Sequence, residues 1–286
     1  MAFRKEEIIL KQLGIWISCL LLTLLAFLPA QSAAAAARAR QDYAPVLMYH
    51  DIKVKPLNGF DVTRDDFRKQ LDWLQAHHYQ TLSMEEYLAI LEQGRPFPEK
   101  SILITFDDGY EGVYTQAVPE LIQHSMKATF FIFKNGLDTK LVGYPYLTTQ
   151  EVKEMAANPL FSIESHTISH PDLTALTPEQ VQQELTESRS YLEKLTGQPC
   201  RALAYPYGRS NPAVLAAVTA AGYQAAFSIV CADPAGFDTC YTIPRIYMGM
   251  ELGKNHNALF KQYVTEYASM PPAAFAERFG DLAADK

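Results

Sequence analysis

Short apolar runs alternate with amphipathic segments along most of this chain. The runs 101–106 and 128–133 are apolar and rich in β-branched or aromatic residues, which predicts buried strands. Between such runs, apolar residues recur at helical spacing behind polar capping residues, as in the segment that begins after Thr63. About six or seven βα units in succession predict an α/β fold with a mainly parallel sheet that closes into a barrel.

Several helix boundaries are marked by capping residues. Ser83 with Glu86, and Thr177 with Gln180, have the spacing of a capping box, and Gly197 marks the end of the second of these helices. The acidic face of that helix, with Glu179, Glu184 and Glu187, is predicted to be solvated. Near the end of the chain, a last helix is predicted to pack on the barrel through Leu259, Tyr263 and Tyr267.

The N-terminus has the pattern of an export signal. Basic residues precede an apolar stretch at 13–28, and a run of small residues follows it. We therefore predict a signal peptide or an uncleaved membrane anchor at 1–39 and a single domain at 40–286. Export implies a periplasmic or extracellular protein, held at the membrane if the signal is not cleaved.

Composition narrows the range of partners. The 286 residues are 48% hydrophobic and 20% charged, which suits one globular domain with a sizeable core. A net charge of −7 argues against nucleic acid as a partner. Outside the signal, the cysteines are Cys200, Cys231 and Cys240, for which we weigh a Cys231–Cys240 disulfide against three free thiols.

The most informative motif closes the strand 101–106, because residues 105–109 read Thr-Phe-Asp-Asp-Gly. Two adjacent carboxylates at the end of a buried strand are costly unless a positive charge compensates them. A metal ion bound to one would leave the other free as a base. The alternative is an ordinary turn with two solvated aspartates.

A pair of histidines makes a metal site the better interpretation. His166 and His170 are four residues apart, so on one helical turn their imidazoles would face the same way. Together with Asp108 they form a ligand set that leaves positions open for water and substrate. Zinc suits these ligands, although nickel, cobalt or iron would also bind. A third segment, Ala-Tyr-Pro-Tyr-Gly at 204–208, follows another predicted strand.

These three segments resemble the polysaccharide deacetylases of the NodB-homology type (carbohydrate esterase family 4), and the resemblance spans residues 45–248. It implies a distorted (β/α) barrel and metal-dependent removal of N-acetyl groups from carbohydrates. It also implies that Asp108, His166 and His170 hold the metal and that Asp107 is the general base.

The third motif supplies two further roles by the same resemblance. The backbone N–H of Tyr207 would stabilise the oxyanion, and Tyr205 and Tyr207 would contact the substrate. The chain departs from most of the family, however, because Ala204 stands where an arginine orients the base. The late strand at 243–246 reads Ile-Pro-Arg-Ile and lacks the histidine that usually protonates the leaving amine.

The poly-N-acetylglucosamine deacetylases of bacterial biofilms resemble the chain more closely, since they also begin with a strand that ends in Tyr-His. Their barrel is circularly permuted, so a histidine of the first strand can serve as the acid. His50 fits that place, against the alternative of a histidine packed at a strand end. Arg245 is predicted to replace the missing arginine beside Asp107, against the alternative of an ordinary surface arginine.

The resulting prediction is an exported, metal-dependent deacetylase that acts on a polysaccharide containing N-acetylglucosamine, with the poly-β-1,6-linked polymer favoured. The alternatives within the fold are peptidoglycan, chitin or xylan deacetylases. A metal-free glycosidase would leave the histidine pair unexplained. A catalytically silent glycan-binding domain is the alternative from another class. The missing arginine and late histidine favour it, whereas the presence of both aspartates and of the histidine pair argues against it.

Overall fold

The structure, a computed structural model, describes residues 44–229, 240–249 and 256–267. The predicted signal or anchor at 1–39 therefore lies outside the described residues. In the described ranges, no helix is long and apolar enough to cross a membrane.

The strands are short and, in the main sheet, all parallel. They are β1 (Val46–Tyr49), β2 (Asp51–Lys53), β3 (Asp61–Thr63), β4 (Gln80–Thr81), β5 (Ser101–Phe106), β6 (Ala128–Ile132), β7 (Lys140–Leu141), β8 (Tyr144–Pro145), β9 (Phe161–Ser165), β10 (Ala202–Ala204), β11 (Ala225–Phe227) and β12 (Ile246–Tyr247). The main sheet has the order β11-β10-β9-β6-β5-β1-β12, with β4 added beside β5. The parallel pair β2–β3 and the hairpin β7–β8 lie outside it.

Helices connect the strands. They are α1 (Arg64–Ala76), α2 (Met84–Glu92), α3 (Val118–Gln123), α4 (Thr149–Ala156), α5 (Pro178–Thr196), α6 (Pro212–Ala220) and α7 (His256–Tyr267), with a π-helical turn at Val113–Ala117 and 3₁₀ turns at Lys134–Gly136, Leu173–Ala175 and Pro206–Gly208. This is the βα order that the sequence predicts.

The segment before β12 connects the two edges of the sheet. Ile243 forms a parallel bridge with Phe227 of β11, and three residues later β12 pairs with β1. The sheet is thereby closed into a distorted barrel whose strands are almost fully buried. Because the strands are parallel, their carboxyl ends meet at one rim, where the site lies.

The predicted caps are confirmed. The Thr63 hydroxyl accepts a hydrogen bond from the Asp66 N–H, and capping boxes begin α2 and α5. At the end of α5, Gly197 adopts a left-handed conformation with φ of +72°, which a glycine allows without steric cost.

The packing face of α7 differs from the prediction by one position. Phe260 and Val264 are fully buried, and Tyr263 packs against them from a half-buried position. Leu259 is only half-buried, and nothing is described of the Tyr267 side chain. The prediction is off by one residue because apolar residues occupy adjacent positions along this helix, so the pattern alone does not fix which of them face the core.

Among the described residues, neither Cys200 nor Cys240 has a disulfide partner. The proposed partner of Cys240, Cys231, lies outside the described residues. The pairing therefore stays a prediction.

Candidate active site

The predicted site residues come from separate strand ends and meet at one rim of the barrel. His50 follows β1, Asp107 follows β5, His166 follows β9 and Tyr205 follows β10. Arg245 lies just before β12, which pairs with β1. The sheet order thus brings together residues that are almost 200 positions apart in sequence.

Asp107 is buried and held by Arg245. Two nitrogens of the guanidinium, Nη1 and Nη2, donate to the two carboxylate oxygens of Asp107, each at 2.6 Å. Arg245 is itself 1% exposed, and its Nε donates to the Ser228 carbonyl at 3.1 Å. This fork geometry fixes the plane of the carboxylate.

The same contact sets the charge of Asp107. Burial raises the pKa of the carboxyl group, but the charges of Arg245 and His166 outweigh it, so the pKa lies below its usual value. Asp107 is therefore ionised at neutral pH and can accept a proton.

The next residue, Asp108, faces the histidines. Its Oδ1 lies 3.4 Å from Nε2 of His166 and 3.3 Å from Nε2 of His170. One ligand atom from each of the three residues lies within 4.8 Å of the others. The Oδ1 atom is buried and has no hydrogen-bond partner among the described residues. Two imidazoles and an unsatisfied carboxylate oxygen form a donor set that fits a divalent transition metal.

The protonation and orientation of the two imidazoles are compatible with metal binding. Nδ1 of His166 lies 2.8 Å from the carbonyl oxygen of Ala204. A carbonyl can only accept, so Nδ1 carries the proton and Nε2 points to Asp108. Burial lowers the pKa of His170 to about 4, and the nearby His166 adds to this effect. His170 is therefore neutral at pH 7, as a metal ligand must be.

The electrostatic field at the site favours a cation. Burial lowers the pKa of His166, but the close contact of its Nε2 with Asp108 and the charges of both aspartates raise it above the usual value overall. A positive charge is thus stabilised beside Nε2, and a metal ion can supply it.

The prediction that the two histidines share a helical turn is wrong. Strand β9 ends at Ser165, and residues 166–170 form an irregular loop. Thr167 and His170 have φ of +73° and +57°, which is the left-handed region. The imidazole centroids are nevertheless 4.7 Å apart. The irregular loop therefore brings the two imidazoles together, as the predicted helical turn would have done.

His50 lies near the aspartates, as predicted. Its ring packs against Phe60 at 5.4 Å and Tyr247 at 5.9 Å between centroids, and its Nδ1 is buried with no hydrogen-bond partner in the described ranges. Burial lowers its pKa, although the charges of Asp108 and Asp107 act in the opposite direction. The lowered pKa leaves the ring mainly neutral at pH 7, so His50 would act as an acid only after it takes up a proton.

The two tyrosines of the third motif have different environments. Tyr207 is 56% exposed, and its ring lies 4.8 Å from that of His170. Tyr205 is fully buried, and its hydroxyl donates to the Tyr241 carbonyl at 2.9 Å. The prediction that the Tyr205 side chain contacts substrate is therefore corrected, because the side chain belongs to the core.

Two features of the site were missed from the sequence. Glu184 was assigned to a solvated helix face, but its carboxylate accepts hydrogen bonds from the loop between the histidines. A row of aromatic rings also leads away from His170, each within 6.0 Å of the next: Phe133, Tyr146, Tyr110 and Tyr144. The position of Tyr110 directly after the Asp-Asp-Gly motif was the one available signal for this row.

Comparison with known proteins identifies the family. The sequence profile of the polysaccharide deacetylases matches residues 94–226. A poly-β-1,6-N-acetyl-D-glucosamine N-deacetylase of Staphylococcus epidermidis is 31% identical over 229 residues, which cover 71% of this chain and 78% of that protein. The chain belongs to the polysaccharide deacetylase family.

Two further relatives support this placement. The Bacillus subtilis protein YxkH, which is named as a polysaccharide deacetylase, is 39% identical over 180 residues. These cover 63% of this chain and 62% of YxkH, so the match spans less than two thirds of that relative. The Streptococcus pyogenes deacetylase PplD, solved in complex with acetate, superposes with a TM-score of 0.66 at 29% identity. The superposition covers 76% of this chain and 96% of PplD.

The predicted family and its barrel fold are thus confirmed, and deacetylation is the activity from which the family takes its name. Polysaccharide deacetylases of this type depend on a metal, and the cluster of Asp108, His166 and His170 offers a place for one. The roles of the individual site residues remain predictions.

Proposed function

We propose that the protein is an exported, metal-dependent deacetylase that removes N-acetyl groups from N-acetylglucosamine units of an exopolysaccharide. The observation that carries the proposal is the division between two adjacent aspartates. Asp107 is fully engaged by Arg245, whereas Asp108 presents an unpaired oxygen to His166 and His170. One carboxylate is thus suited to accept a proton and the other to bind a metal.

Asp108, His166 and His170 would hold the metal, with zinc favoured and nickel, cobalt or iron as alternatives. When bound, the metal supplies Lewis acidity, which makes a water molecule more acidic and an acetamide carbonyl more electrophilic. The buried, unsatisfied Oδ1 of Asp108 is the observation that supports this assignment.

The remaining residues would handle protons and charge. Asp107 accepts the proton of the attacking water, and Arg245 keeps its carboxylate ionised and correctly oriented. The backbone N–H of Tyr207 donates to the oxyanion of the tetrahedral intermediate. His50 donates a proton to the nitrogen of the leaving amine, since an amine anion is too poor a leaving group at neutral pH.

Three observations bear on the choice of substrate. The Staphylococcus epidermidis relative is named for poly-β-1,6-N-acetyl-D-glucosamine, and we take this polymer as the favoured substrate. The exposed ring of Tyr207 and the half-buried rings of Tyr110, Tyr144 and Tyr146 suit the apolar faces of sugar rings. The net charge of −7 suits a glycan that becomes cationic as acetyl groups leave.

Export rests on the sequence pattern at 1–39. We propose a periplasmic or extracellular location, with the membrane as a partner if the apolar stretch is retained. Fractionation of cells that produce the full chain tests this part, and protein confined to the cytosol would contradict it.

Acetate release tests the activity most directly. The purified protein is stripped of metal and assayed on defined β-1,6- and β-1,4-linked N-acetylglucosamine oligomers and on acetylated xylan, with and without added Zn²⁺ or Co²⁺. We expect metal-dependent acetate release, fastest on the β-1,6 oligomers.

Each alternative has its own result. Preference for β-1,4 oligomers would identify a chitin or peptidoglycan deacetylase, and preference for xylan a xylan deacetylase. Binding of glycan without acetate release at any metal concentration would identify a silent glycan-binding domain. Acetate release that is unaffected by complete metal removal would contradict the metal-dependent mechanism.

A further inference from the structure

The loop between the two histidines, residues 166–170, has an unfavourable backbone conformation. Thr167 has φ of +73°, and His170 has φ of +57°. Positive φ is a genuine outlier for a β-branched residue such as threonine. Such conformations persist where the surrounding structure over-determines them. Since the loop ends carry the two imidazoles, whatever holds the loop also sets their separation.

Contacts within the loop and with one neighbouring turn account for part of the restraint. The Thr167 N–H donates to the hydroxyl of Ser165, and the His170 N–H donates to the hydroxyl of Thr167, each at 3.1 Å. The carbonyls of Thr167 and Ile168 accept from backbone N–H groups at 134 and 135. The N–H groups of the two central residues remain to be satisfied.

Glu184 satisfies both of them from helix α5. Its Oε2 accepts from the N–H of Ile168 at 2.7 Å and from the N–H of Ser169 at 3.0 Å. Its Oε1 accepts from the hydroxyl of Ser169 at 2.6 Å. Three hydrogen bonds to one charged acceptor are stronger than bonds to a neutral group. A single side chain thus ties the middle of the loop to a long helix.

We propose that Glu184 is a positioning residue that fixes the spacing of His166 and His170 and thereby sets the affinity of the centre for a divalent metal. The inference rests on the proposed metal site. Glu184 contacts the loop between the ligands, so it acts on the metal through their geometry. Groups that orient metal ligands in this indirect way typically change metal affinity by about 10- to 100-fold when removed.

The test compares the Zn²⁺ affinity of four full-length proteins by competition with a chromophoric chelator. They are the wild type, Glu184→Ala, Glu184→Gln and Glu187→Ala. Glu187 lies on the same helix but is exposed, and its Oε1 accepts a hydrogen bond from Nε2 of Gln183 within that helix. We expect Glu184→Ala to bind Zn²⁺ about 10- to 100-fold more weakly. Glu184→Gln keeps an acceptor oxygen and should recover most of the affinity, and Glu187→Ala should match the wild type.

Thermal unfolding of the metal-free proteins separates positioning from general damage. If Glu184→Ala proves too unstable to titrate, Ser169→Ala takes its place. This variant removes one of the three hydrogen bonds to Glu184 and should weaken Zn²⁺ binding by a smaller factor. Unchanged affinity in a folded Glu184→Ala, or in Ser169→Ala when it stands in, would overturn the inference and leave the proposed function intact. Failure of the wild type to bind Zn²⁺ at all would instead overturn the metal site itself.

Discussion

Asp107 and Asp108 are neighbours in sequence, and positive neighbours lower the pKa of both, yet their carboxylates have different partners. Asp107 forms two hydrogen bonds of 2.6 Å with Arg245, whereas Asp108 turns to two imidazoles with φ of +71° and leaves Oδ1 unpaired. The difference shows how two carboxylates at one strand end can have different tasks. In the proposed mechanism, the fixed cation Arg245 holds Asp107 as the base, and Asp108 would bind the metal.

Asp51, the first residue of β2, is another buried aspartate with a different counter-charge. It is 1% exposed, and its counter-charge is a single lysine, Lys53, at 2.6 Å. Burial raises its pKa to about 6, because Lys53 compensates only part of the desolvation. The negative charge of Asp61 raises the pKa further. The bidentate arginine of Asp107 produces the opposite shift. The neighbouring charges differ as well, because His166 lies near Asp107 and lowers its pKa, whereas Asp61 lies near Asp51 and raises its pKa.

The largest expected effect on stability follows loss of Arg245. Arg245→Met leaves the buried carboxylate of Asp107 without its partner, which should lower the free energy of unfolding by about 3–5 kcal/mol. Urea denaturation at pH 7 measures it. Arg209→Met is the matched control, because Arg209 pairs with Asp172 from a side chain that is 59% exposed. That pair should contribute at most about 1 kcal/mol. Equal losses in the two variants would contradict the special role of the buried pair.

His50→Ala should separate two kinds of substrate. If His50 protonates the leaving amine, the variant loses turnover on an N-acetyl substrate by about 10²-fold or more. The loss should be much smaller on an activated acetate ester, whose leaving group needs no proton. Zn²⁺ binding should be unchanged. The exposed His77, which stacks on Trp73, provides the control variant His77→Ala. Equal losses on the amide and the ester would indicate a structural role for His50.

Asp51→Asn tests the contrast between the two cations through pH. The folded carboxyl group has a pKa of about 6, above the usual value of an aspartate, so the native state keeps its proton where the unfolded chain loses it. Stability should therefore fall as pH rises from about 4 to 6 and stay lower above it. The asparagine variant should lack this fall and be more stable at pH 7 by about 1–3 kcal/mol. A pH profile identical to that of the wild type would contradict the assignment.

The smallest effect concerns the tyrosines of the third motif. Tyr205→Phe removes the hydrogen bond to the Tyr241 carbonyl, which should cost about 1 kcal/mol of stability and leave KM unchanged. Tyr207→Ala should do the reverse, with a raised KM and little change in stability, because its ring is exposed beside His170. A raised KM for Tyr205→Phe would restore Tyr205 to the substrate site.

The metal half of the site was more accessible to prediction than the base half. Asp108, His166 and His170 lie in short motifs whose residue types indicate metal binding. Their convergence was predicted for the wrong reason, however, because a loop in left-handed conformations replaces the expected helical turn. Glu184 could not be assigned, since a glutamate on a polar helix face has the same local pattern whether or not it contacts a loop.

The base half depends on topology. Arg245 and Asp107 are separated by 138 positions, and the partnership follows from β12 pairing with β1, which pairs with β5. Local sequence carries no signal for such a contact. The family resemblance supplied it, because most of the family has an arginine where Ala204 stands, and Arg245 was predicted to replace that arginine. The burial of Tyr205 was likewise beyond local pattern, because an aromatic residue at a strand end packs inward or outward according to its neighbours.

The central claim is that the two aspartates have separate tasks, and metal content with turnover in Asp107→Asn and Asp108→Asn tests it most directly. Both proteins are purified in parallel, and their zinc or other transition metal is measured together with acetate release from N-acetylglucosamine oligomers. The account predicts close to one metal per chain in Asp107→Asn with turnover reduced by about 10²-fold or more. In Asp108→Asn it predicts loss of the metal and of turnover together. Equal metal content in the two variants, or near-normal turnover in Asp107→Asn, would contradict it.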